Sequence, residues 1–281
     1  MKALALQYTV SDLCRALGVC RSGYYAWLRR RPSRRQQANA QIVQQLRSLH
    51  AQSRGSYGRP RLTAALRQQG QRCSQARVGR LMRQQGLRGA MRRRFRVATT
   101  DSRHDLPIAP NRLAASAAPS GPNQVWVTDI TYIATTEGWL YLAAVMDLYS
   151  RRIVGWAMAD NLQTPLVTAA LLQALGFRQP PPGLLHHSDR GCQYASAEYR
   201  HLLAAHQIEA SMSRSGNCYD NAAMESFWGR LKTEWLAGQA PATRAETQTA
   251  IFEWIEVFYN RQRLHSSLGY QSPVDFETQL N

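Results

Sequence analysis

Strand-like and helix-like segments alternate through the C-terminal half of this chain, and their order restricts the possible folds more than any other sequence feature. The strand-like segments are short and rich in β-branched and aromatic residues, and the helix-like ones carry apolar residues at helical spacing. In chain order they are β at 124–133, 139–147 and 153–158, α at 164–177, β at 184–188, α at 195–206 and β at 208–212. This order predicts a layered α/β domain that begins with an antiparallel meander.

The first of these strands carries a carboxylate in an otherwise apolar run. Asp129 lies between Thr128 and Ile130, and a buried charge in such a strand is costly unless it is paired or bound to a metal. Asp189 comes directly after the fourth strand, in a polar segment that ends at Gly191. If the first and fourth strands are neighbours, the two carboxylates lie side by side. A turn role alone remains an alternative for Asp189.

A third carboxylate lies just inside the helix that follows a Gly- and Asn-rich segment, residues 216–221. Glu225 flanks an apolar stripe, and Lys232 is seven residues further, nearly two turns along the same face. Asp189 and Glu225 have 35 residues between them (225 − 189 − 1), and Asp129 and Asp189 have 59 (189 − 129 − 1). In an active site Lys232 would reach a DNA phosphate, whereas a surface pair is the simpler alternative. The stripe consists of Met224, Phe227, Trp228, Leu231 and Trp235.

Three clustered carboxylates repel one another and raise each other's pKa, and a divalent cation relieves that repulsion. Oxygen ligands without Cys or His favour Mg²⁺ or Mn²⁺. Two such ions about 4 Å apart are typical of phosphodiester displacement, in which they stabilise the attacking and leaving oxygens. The alternative is that each acid is a surface or capping residue, which fits Asp129 least because it lies within a strand.

The charge of the chain is concentrated on its N-terminal side. The net charge is +17; residues 1–121 hold 24 Lys and Arg against 3 Asp and Glu (24 − 3 = +21), and residues 122–281 hold 11 against 15 (11 − 15 = −4). The basic part favours a polyanionic partner, nucleic acid rather than an anionic membrane. No apolar run approaches the roughly 20 residues of a membrane span, and the five cysteines form no CxxC pair, so we expect a cytoplasmic, nucleoid-associated protein.

Helical patterns fill the basic part. Residues 1–36 contain two short helices that resemble a helix-turn-helix, with a simple helical hairpin as the alternative. Residues 37–97 contain three helices with a turn between the last two, which predicts a helix-turn-helix DNA-binding domain. Its expected DNA contacts are basic positions on the outward face of the last helix and in the cluster after it. These are Arg77, Arg80, Arg83, Arg92, Arg93 and Arg94.

Composition changes place the remaining boundaries. Residues 98–121 are rich in Ala, Ser and Pro and lack periodicity, which indicates a linker. The α/β core is expected over 122–235 and a helical extension over 236–281, with one long helix from Thr243 to Asn260.

Several polar residues near these motifs are open to more than one interpretation. Asp220 and Asn221 are predicted to cap the Glu225 helix. His187 orients Asp189 or contacts DNA, or is a structural histidine. The residues after the last long helix contact the DNA backbone or form a solvated tail. They are Arg261, Arg263 and His265.

Several of these segments, in this order, closely resemble the insertion-sequence transposases of the IS three family. The segments are Trp126-x-Thr128-Asp129-Ile130-Thr131-Tyr132, His187-Ser188-Asp189-Arg190-Gly191-x-Gln193-Tyr194, Ser211-Met212-Ser213-Arg214-x-Gly216-Asn217-Cys218-Tyr219-Asp220-Asn221, Glu225-Ser226-Phe227 and Tyr259-Asn260-x-x-Arg263-x-His265-x-x-Leu268 with Pro273. The segment Tyr57-Gly58-Arg59-Pro60 and its following helices look like the helix-turn-helix that precedes the core in that family. The resemblance covers nearly the whole chain.

The resemblance implies a ribonuclease-H-like integrase core, a mixed five-stranded sheet with helices, preceded by an all-α helix-turn-helix region. It implies that Asp129, Asp189 and Glu225 are the catalytic and metal-binding triad, and that Lys232 is the basic residue seven positions after the glutamate. The expected activity is metal-dependent 3′-end cleavage and strand transfer of a bacterial insertion sequence. The expected partners are terminal inverted repeats, target DNA and further copies of the chain on DNA.

One departure concerns the upstream reading frame. In this family the active enzyme is commonly a frameshift fusion of an upstream frame, with a leucine zipper, to a second frame. This chain has no heptad repeat and resembles the second frame alone, or a family member that dispenses with the first frame. In the first case the upstream-frame protein is a further expected partner. Two other functions stay open from the residues: a non-catalytic DNA-binding regulator, and a ribonuclease-H-like nuclease that cuts without joining.

Overall fold

The N-terminal part is helical in the computed structural model, which describes residues 7–90, 104–214, 221–236 and 242–279. Its helices are α1 (Val10–Ala16), α2 (Arg21–Arg29), α3 (Arg34–Gln52), α4 (Arg59–Gln68) and α5 (Gln75–Gln84). Side-chain caps determine where they begin: Thr9 rather than Ser11 caps α1, and Ser74 caps α5 as its sequence predicts. A capping box between Ser33 and Gln36 starts α3 several residues before the apolar periodicity does, so α3 crosses the boundary expected after residue 36.

A mixed five-stranded sheet forms the core of the second part, as predicted. Its strands are β1 (Val125–Thr135), β2 (Gly138–Asp147), β3 (Ile153–Ala159), β4 (Leu185–Ser188) and β5 (Glu209–Met212), in the spatial order β3-β2-β1-β4-β5. The first three strands are an antiparallel meander, and β4 and β5 run parallel to β1. The strand with the apolar run and the internal aspartate is therefore central, with β4 as its neighbour.

Helices cover both faces of this sheet. On one face lie α6 (Thr164–Arg178), α7 (Cys192–Ala195) and α8 (Ala197–Ala205), packed on a layer that includes Trp126 of β1. On the other face lies α9 (Ala222–Leu231), whose buried residues pack with Val127 and Ile133 of β1. Because side chains alternate along a strand, Asp129 points to the same face as Val127, towards α9. The site therefore lies between the sheet and α9.

The C-terminal extension joins the helical part to the core. A capping box of Thr243 and Glu246 starts α10 (Arg244–Phe252). The predicted long helix changes to π-helical geometry over Glu253–Tyr259, and α11 (Pro273–Thr278) follows. Tyr57 and Arg61 connect the helix-turn-helix to this extension: the backbone N–H of Leu264 donates to the Tyr57 hydroxyl (2.7 Å), and Arg61 Nε donates to the Leu264 carbonyl (2.8 Å). No described helix has the length and apolar character needed to cross a membrane.

Candidate active site

The parallel pairing of β1 and β4 brings the two aspartates together. Val127 is paired with His187, and the register is constant over the preceding residues. Asp129 and Asp189 each come two residues later, so they are level on neighbouring chain segments. Adjacent strands are about 4.8 Å apart. The neighbouring position that the sequence argument required is therefore observed.

Asp129 is held by two hydrogen bonds in a partly buried position. The indole Nε1 of Trp228 donates to Oδ2 (3.0 Å), and the backbone N–H of Ile130 donates to Oδ1 (2.8 Å). Burial, and then the negative charges of Asp189 and Glu225, raise the pKa of Asp129 to about 7, while the two hydrogen bonds oppose that increase. The three predicted carboxylates therefore lie within one electrostatic environment.

Asp189 has a second, local role in the turn that follows β4. Its Oδ1 accepts a hydrogen bond from the backbone N–H of Gly191 (2.9 Å), just before α7 begins. The turn interpretation and the carboxylate pair are thus compatible, because this hydrogen bond fixes the carboxylate beside β1.

Glu225 is exposed in the first turn of α9, and the predicted apolar stripe of that helix is buried beneath it. Asn221, predicted to cap α9, makes no capping bond; its Nδ2 donates instead to the carbonyl of Thr128 (3.1 Å). The start of α9 is therefore tied to the residue before Asp129. Asp220, the other predicted cap, lies outside the described residues.

The position of Glu225 differs from that of the two aspartates in one respect. Within residues 7–90, 104–214, 221–236 and 242–279, no group of three or more His, Cys, Asp and Glu side chains is close enough to hold a metal ion. The sheet fixes the two aspartates of the predicted triad, and α9 carries the third carboxylate.

Lys232 also lies at this site. Its Nζ is 5.1 Å from the centroid of the Tyr132 ring, a cation–π distance. Tyr132 lies on β1, three residues after Asp129. Burial lowers the pKa of Lys232, and the charge of Asp129 opposes that decrease. Lys232 is also where the α-helical geometry of α9 ends and a π-helical turn, Lys232–Leu236, begins. The ammonium group is thus near enough to Asp129 for the two charges to interact.

The other predicted contacts divide into exposed and structural residues. His187 is buried between the hydroxyls of Ser211 (2.9 Å) and Ser213 (3.0 Å), which makes it a structural histidine. Arg263 is also buried and forms a bidentate ion pair with Glu234, so neither DNA contact nor a solvated tail describes it. This correction has a simple cause: Glu234 is 29 residues away in sequence and has no pattern that identifies it as a partner.

The arginines of the helix-turn-helix are not equivalent. Arg83 is exposed, whereas Arg80 is partly buried and Arg77 donates from Nε to Oδ1 of Asn39 (2.9 Å) across to α3. Arg77 therefore contributes to the packing of the helices, which helical periodicity alone does not reveal. Arg92, Arg93 and Arg94 lie outside the described residues.

Replacing Asn221 by alanine is expected to destabilise the chain by about 1–2 kcal/mol and to slow DNA joining more than it weakens DNA binding. The variant loses the hydrogen bond to the Thr128 carbonyl, which is then buried without that partner. Chemical denaturation and single-turnover joining would measure the two effects. Asn161→Ala is the matched control, because Asn161 is exposed and its side chain bonds only to Asp160 among the described contacts. Equal joining rates for both variants would contradict a role for Asn221 in positioning α9.

Matches to family models place the chain in the integrase-core class of polynucleotidyl transferases. Two integrase core domain families match the chain, over residues 119–218 and 206–273, and an HTH-like domain family matches residues 36–95. The chain is 47% identical over 264 residues to the insertion element IS600 uncharacterized 31 kDa protein of Shigella sonnei, covering 94% of this chain and 97% of that protein. It is 42% identical over 273 residues to the transposase InsF for insertion sequence IS3A of Escherichia coli (strain K12), covering 96% and 94%. The chain belongs to the IS three family of insertion-sequence transposases.

Solved structures with a similar chain path include two from retroviruses. A simian T-cell lymphotropic virus intasome in complex with PP2A regulatory subunit B56 gamma aligns with a TM-score of 0.48 at 15% identity, covering 82% of this chain and 73% of that one. The HTLV-2 integrase catalytic core domain in complex with magnesium aligns with a TM-score of 0.44 at 16% identity, covering 56% and 98%.

Proposed function

We propose that this chain is a DNA transposase that uses Asp129, Asp189 and Glu225 to cut the 3′ ends of an insertion sequence and join them to target DNA. The proposal depends on one observation: Asp129 on β1 and Asp189 after β4 lie side by side, and the charge of Glu225 acts on Asp129. Membership of a transposase family supports the polynucleotide substrate.

The carboxylates fit Mg²⁺ or Mn²⁺, two ions in the form we propose. Their donor atoms are carboxylate oxygens, the hard ligands that these cations prefer. The raised pKa of Asp129 reflects burial and like-charge repulsion, and a cation bound between the carboxylates would relieve that repulsion. When bound, the metal would supply Lewis-acid stabilisation of the charge that develops on the phosphoryl oxygens.

The protein groups orient the carboxylates and the DNA. Trp228 and Ile130 fix the orientation of Asp129, and Gly191 fixes that of Asp189. Glu225 is exposed on the first turn of α9, from which it can complete the ligand set. Lys232, beside them, would bind a DNA phosphate next to the reacting one. No covalent bond between protein and DNA is needed, because the freed 3′-OH is itself the next nucleophile.

The proposal is tested with oligonucleotides that carry the ends of the element. Wild type with Mg²⁺ or Mn²⁺ is expected to release 3′-OH ends and to join them to a second duplex, and Glu225→Gln is expected to lose both steps. Cutting without joining would favour a nuclease, and binding without any reaction would favour a regulator, or a requirement for the upstream-frame protein. Adding that protein to the inactive mixture separates the last two outcomes. Because two ends must be joined, we expect at least a dimer on DNA.

In the helix-turn-helix we expect Arg83 to contact a DNA phosphate. Arg83→Gln is expected to reduce the slope of log K against log salt by about 1 and to weaken binding similarly for all sequences. Arg77→Gln is the informative comparison, because its bond to Asn39 predicts lower thermal stability in addition to any effect on binding. Fluorescence anisotropy at several salt concentrations measures the slope. An unchanged slope for Arg83→Gln would show that α5 does not present this residue to DNA.

A further inference from the structure

A cavity lies beside α9, next to the site of the carboxylates. Its volume is about 510 Å³, and its walls come from the helix-turn-helix, the core sheet and the C-terminal extension. Ala222, Ser226 and Arg230 line it from α9, whereas Glu225, Trp228 and Lys232 of the active site are not among its lining residues. Val127 of β1 also lines the cavity; it lies two residues before Asp129, on the same face of the strand. The two sites are therefore neighbours along β1 and α9.

The cavity, which we call the arginine pocket, collects basic side chains from distant parts of the chain. Arg61 comes from α4, Arg151 from the turn between β2 and β3, Arg230 from α9 and Arg263 from the C-terminal extension. Arg263 is paired with Glu234. For Arg61, Arg151 and Arg230, no carboxylate of the described residues forms a salt bridge. The pocket thus holds three guanidinium groups without a salt bridge in the part of the chain that the structure describes, although the charges of Glu234 and Asp147 act on Arg61 and Arg151.

The electrostatic field in the arginine pocket is strongly positive. Burial, and then the charges of Arg263, Arg61, Arg151 and Arg230, hold the pKa of His265 far below its ordinary value, so its imidazole is neutral. Burial and the charges of Arg263 and Arg230 also lower the pKa of Arg61, to about 10, and the charge of Glu234 only partly offsets that decrease. Clustering three partly buried guanidinium groups without an anion is unfavourable, and a bound anion would remove that cost.

The lining of the pocket indicates which kind of anion fits. Guanidinium groups match phosphate oxygens in bidentate geometry, and the hydroxyl-bearing residues Ser226, Ser266 and Ser267 also line the cavity. Val127 lines the pocket and Asp129 lies two residues further along the same face of β1, so the pocket and the carboxylates are about 7 Å apart along the strand. A polymer that carries many phosphates can occupy both places at once, which a small anion cannot.

We propose that the arginine pocket binds one backbone phosphate of the DNA substrate at a position distinct from the reacting phosphate. This proposal rests on the proposed function, because the chain must act on DNA. In this arrangement the bound phosphate contacts Arg230 and Ser226, which lie on the same helix as Glu225. DNA binding in the pocket would hold the first turns of α9 against β1 and so position Glu225 beside the aspartate pair.

The test uses the full-length chain and the double substitution Arg151→Gln with Arg230→Gln. Neither side chain makes a hydrogen bond or salt bridge with the described residues, so the variant is expected to fold. In metal-free buffer we expect it to bind the element ends about tenfold more weakly and with a salt slope smaller by about 1, the value for one lost phosphate contact. The double variant Arg112→Gln with Arg200→Gln, on exposed arginines near β5 and on α8, is the charge-matched control. Its slope is expected to stay at the wild-type value.

The outcomes separate this proposal from the proposed function. If the pocket variant and the control have the same slope while wild type joins DNA with Mg²⁺, the pocket proposal is wrong and the transposase function stands. If wild type neither cuts nor joins even when the upstream-frame protein is added, the proposed function fails. The salt slope still tests the pocket in that case, because it is measured without metal and reports binding alone. Inorganic phosphate is the last probe. The occupant is a small anion rather than DNA if phosphate raises the melting temperature of wild type but not of the pocket variant, while the two proteins have the same salt slope for DNA binding.

Discussion

Asp129→Asn is expected to reduce strand joining by on the order of a thousandfold or more and to leave DNA binding unchanged. The substitution keeps the shape of the side chain and removes the charge that a bound cation would neutralise. Lewis-acid stabilisation by such a cation is worth several kcal/mol, and each loss of about 1.4 kcal/mol slows a reaction about tenfold. Single-turnover joining with saturating DNA, in Mg²⁺ and in Mn²⁺, measures the effect.

Two controls distinguish this result from a loss of structure. Asp160→Asn changes an exposed carboxylate just after β3 and is expected to join DNA at the wild-type rate. The melting temperature of Asp129→Asn in metal-free buffer at pH 8 is expected to lie close to that of wild type. The pKa of Asp129 is about 7 in the folded chain and 3.8 ordinarily, so its carboxylate lowers the stability of the fold as the pH rises from 3.8 to about 7, and the neutral amide avoids this cost. The amide has only one oxygen to accept from Trp228 and Ile130, which opposes that gain. Full joining activity in Asp129→Asn would remove Asp129 from the catalytic site.

Arg263→Ala is expected to lower the free energy of unfolding by about 3–5 kcal/mol, the largest effect on stability that we predict for this chain. Arg263 and Glu234 are each 2% exposed at the side chain, and Arg263 donates from Nε and Nη2 to the two carboxylate oxygens. Removing one partner leaves the other as a buried charge without compensation. Thermal melting is expected to shift by on the order of 10 °C.

An exposed ion pair provides the matched comparison. Arg54 and Glu253 form a salt bridge of 2.8 Å, but their side chains are 34% and 59% exposed, so Arg54→Ala is expected to cost about 1 kcal/mol or less. Neutralising both buried partners, with Glu234→Gln and Arg263→Met, is expected to recover part of the loss, because no uncompensated charge remains. If Arg263→Ala melts within a degree of Arg54→Ala, the buried pair does not hold the C-terminal extension on the core.

Local patterns predicted the sheet well, because each strand and helix carries its own periodicity. The three strands of the meander begin and end within two residues of the predicted positions, and β1 is central as its apolar sequence suggested. Helix boundaries were less accurate where a capping side chain, such as Ser33, acts outside the apolar periodicity. The predicted single helix over 243–260 also changes geometry after Phe252, a change that has no signal in the apolar spacing.

The candidate site was predictable only in part. A carboxylate inside an apolar strand indicated Asp129, the end of the fourth strand indicated Asp189, and one helix face indicated Glu225 and Lys232. The resemblance to a known family predicted their roles. Nothing in the spacing of residues indicated that Trp228 donates to Asp129 or that Asn221 donates to Thr128, because these contacts connect positions 99 and 93 residues apart. The arginine pocket was not predicted at all, since its basic residues come from four separate segments and resemble ordinary surface charges in the sequence.

The sequence by itself determined the helical basic part, the order of strands and helices after it, and the positions of the three carboxylates in that order. These follow from local periodicity and from the energetic cost of a charge in an apolar strand. Only the tertiary structure decided which strands are neighbours, which arginines are buried, and which polar groups hold α9 against β1. Those outcomes depend on contacts between residues far apart in the chain, where burial and pairing, rather than local propensity, set the free energy.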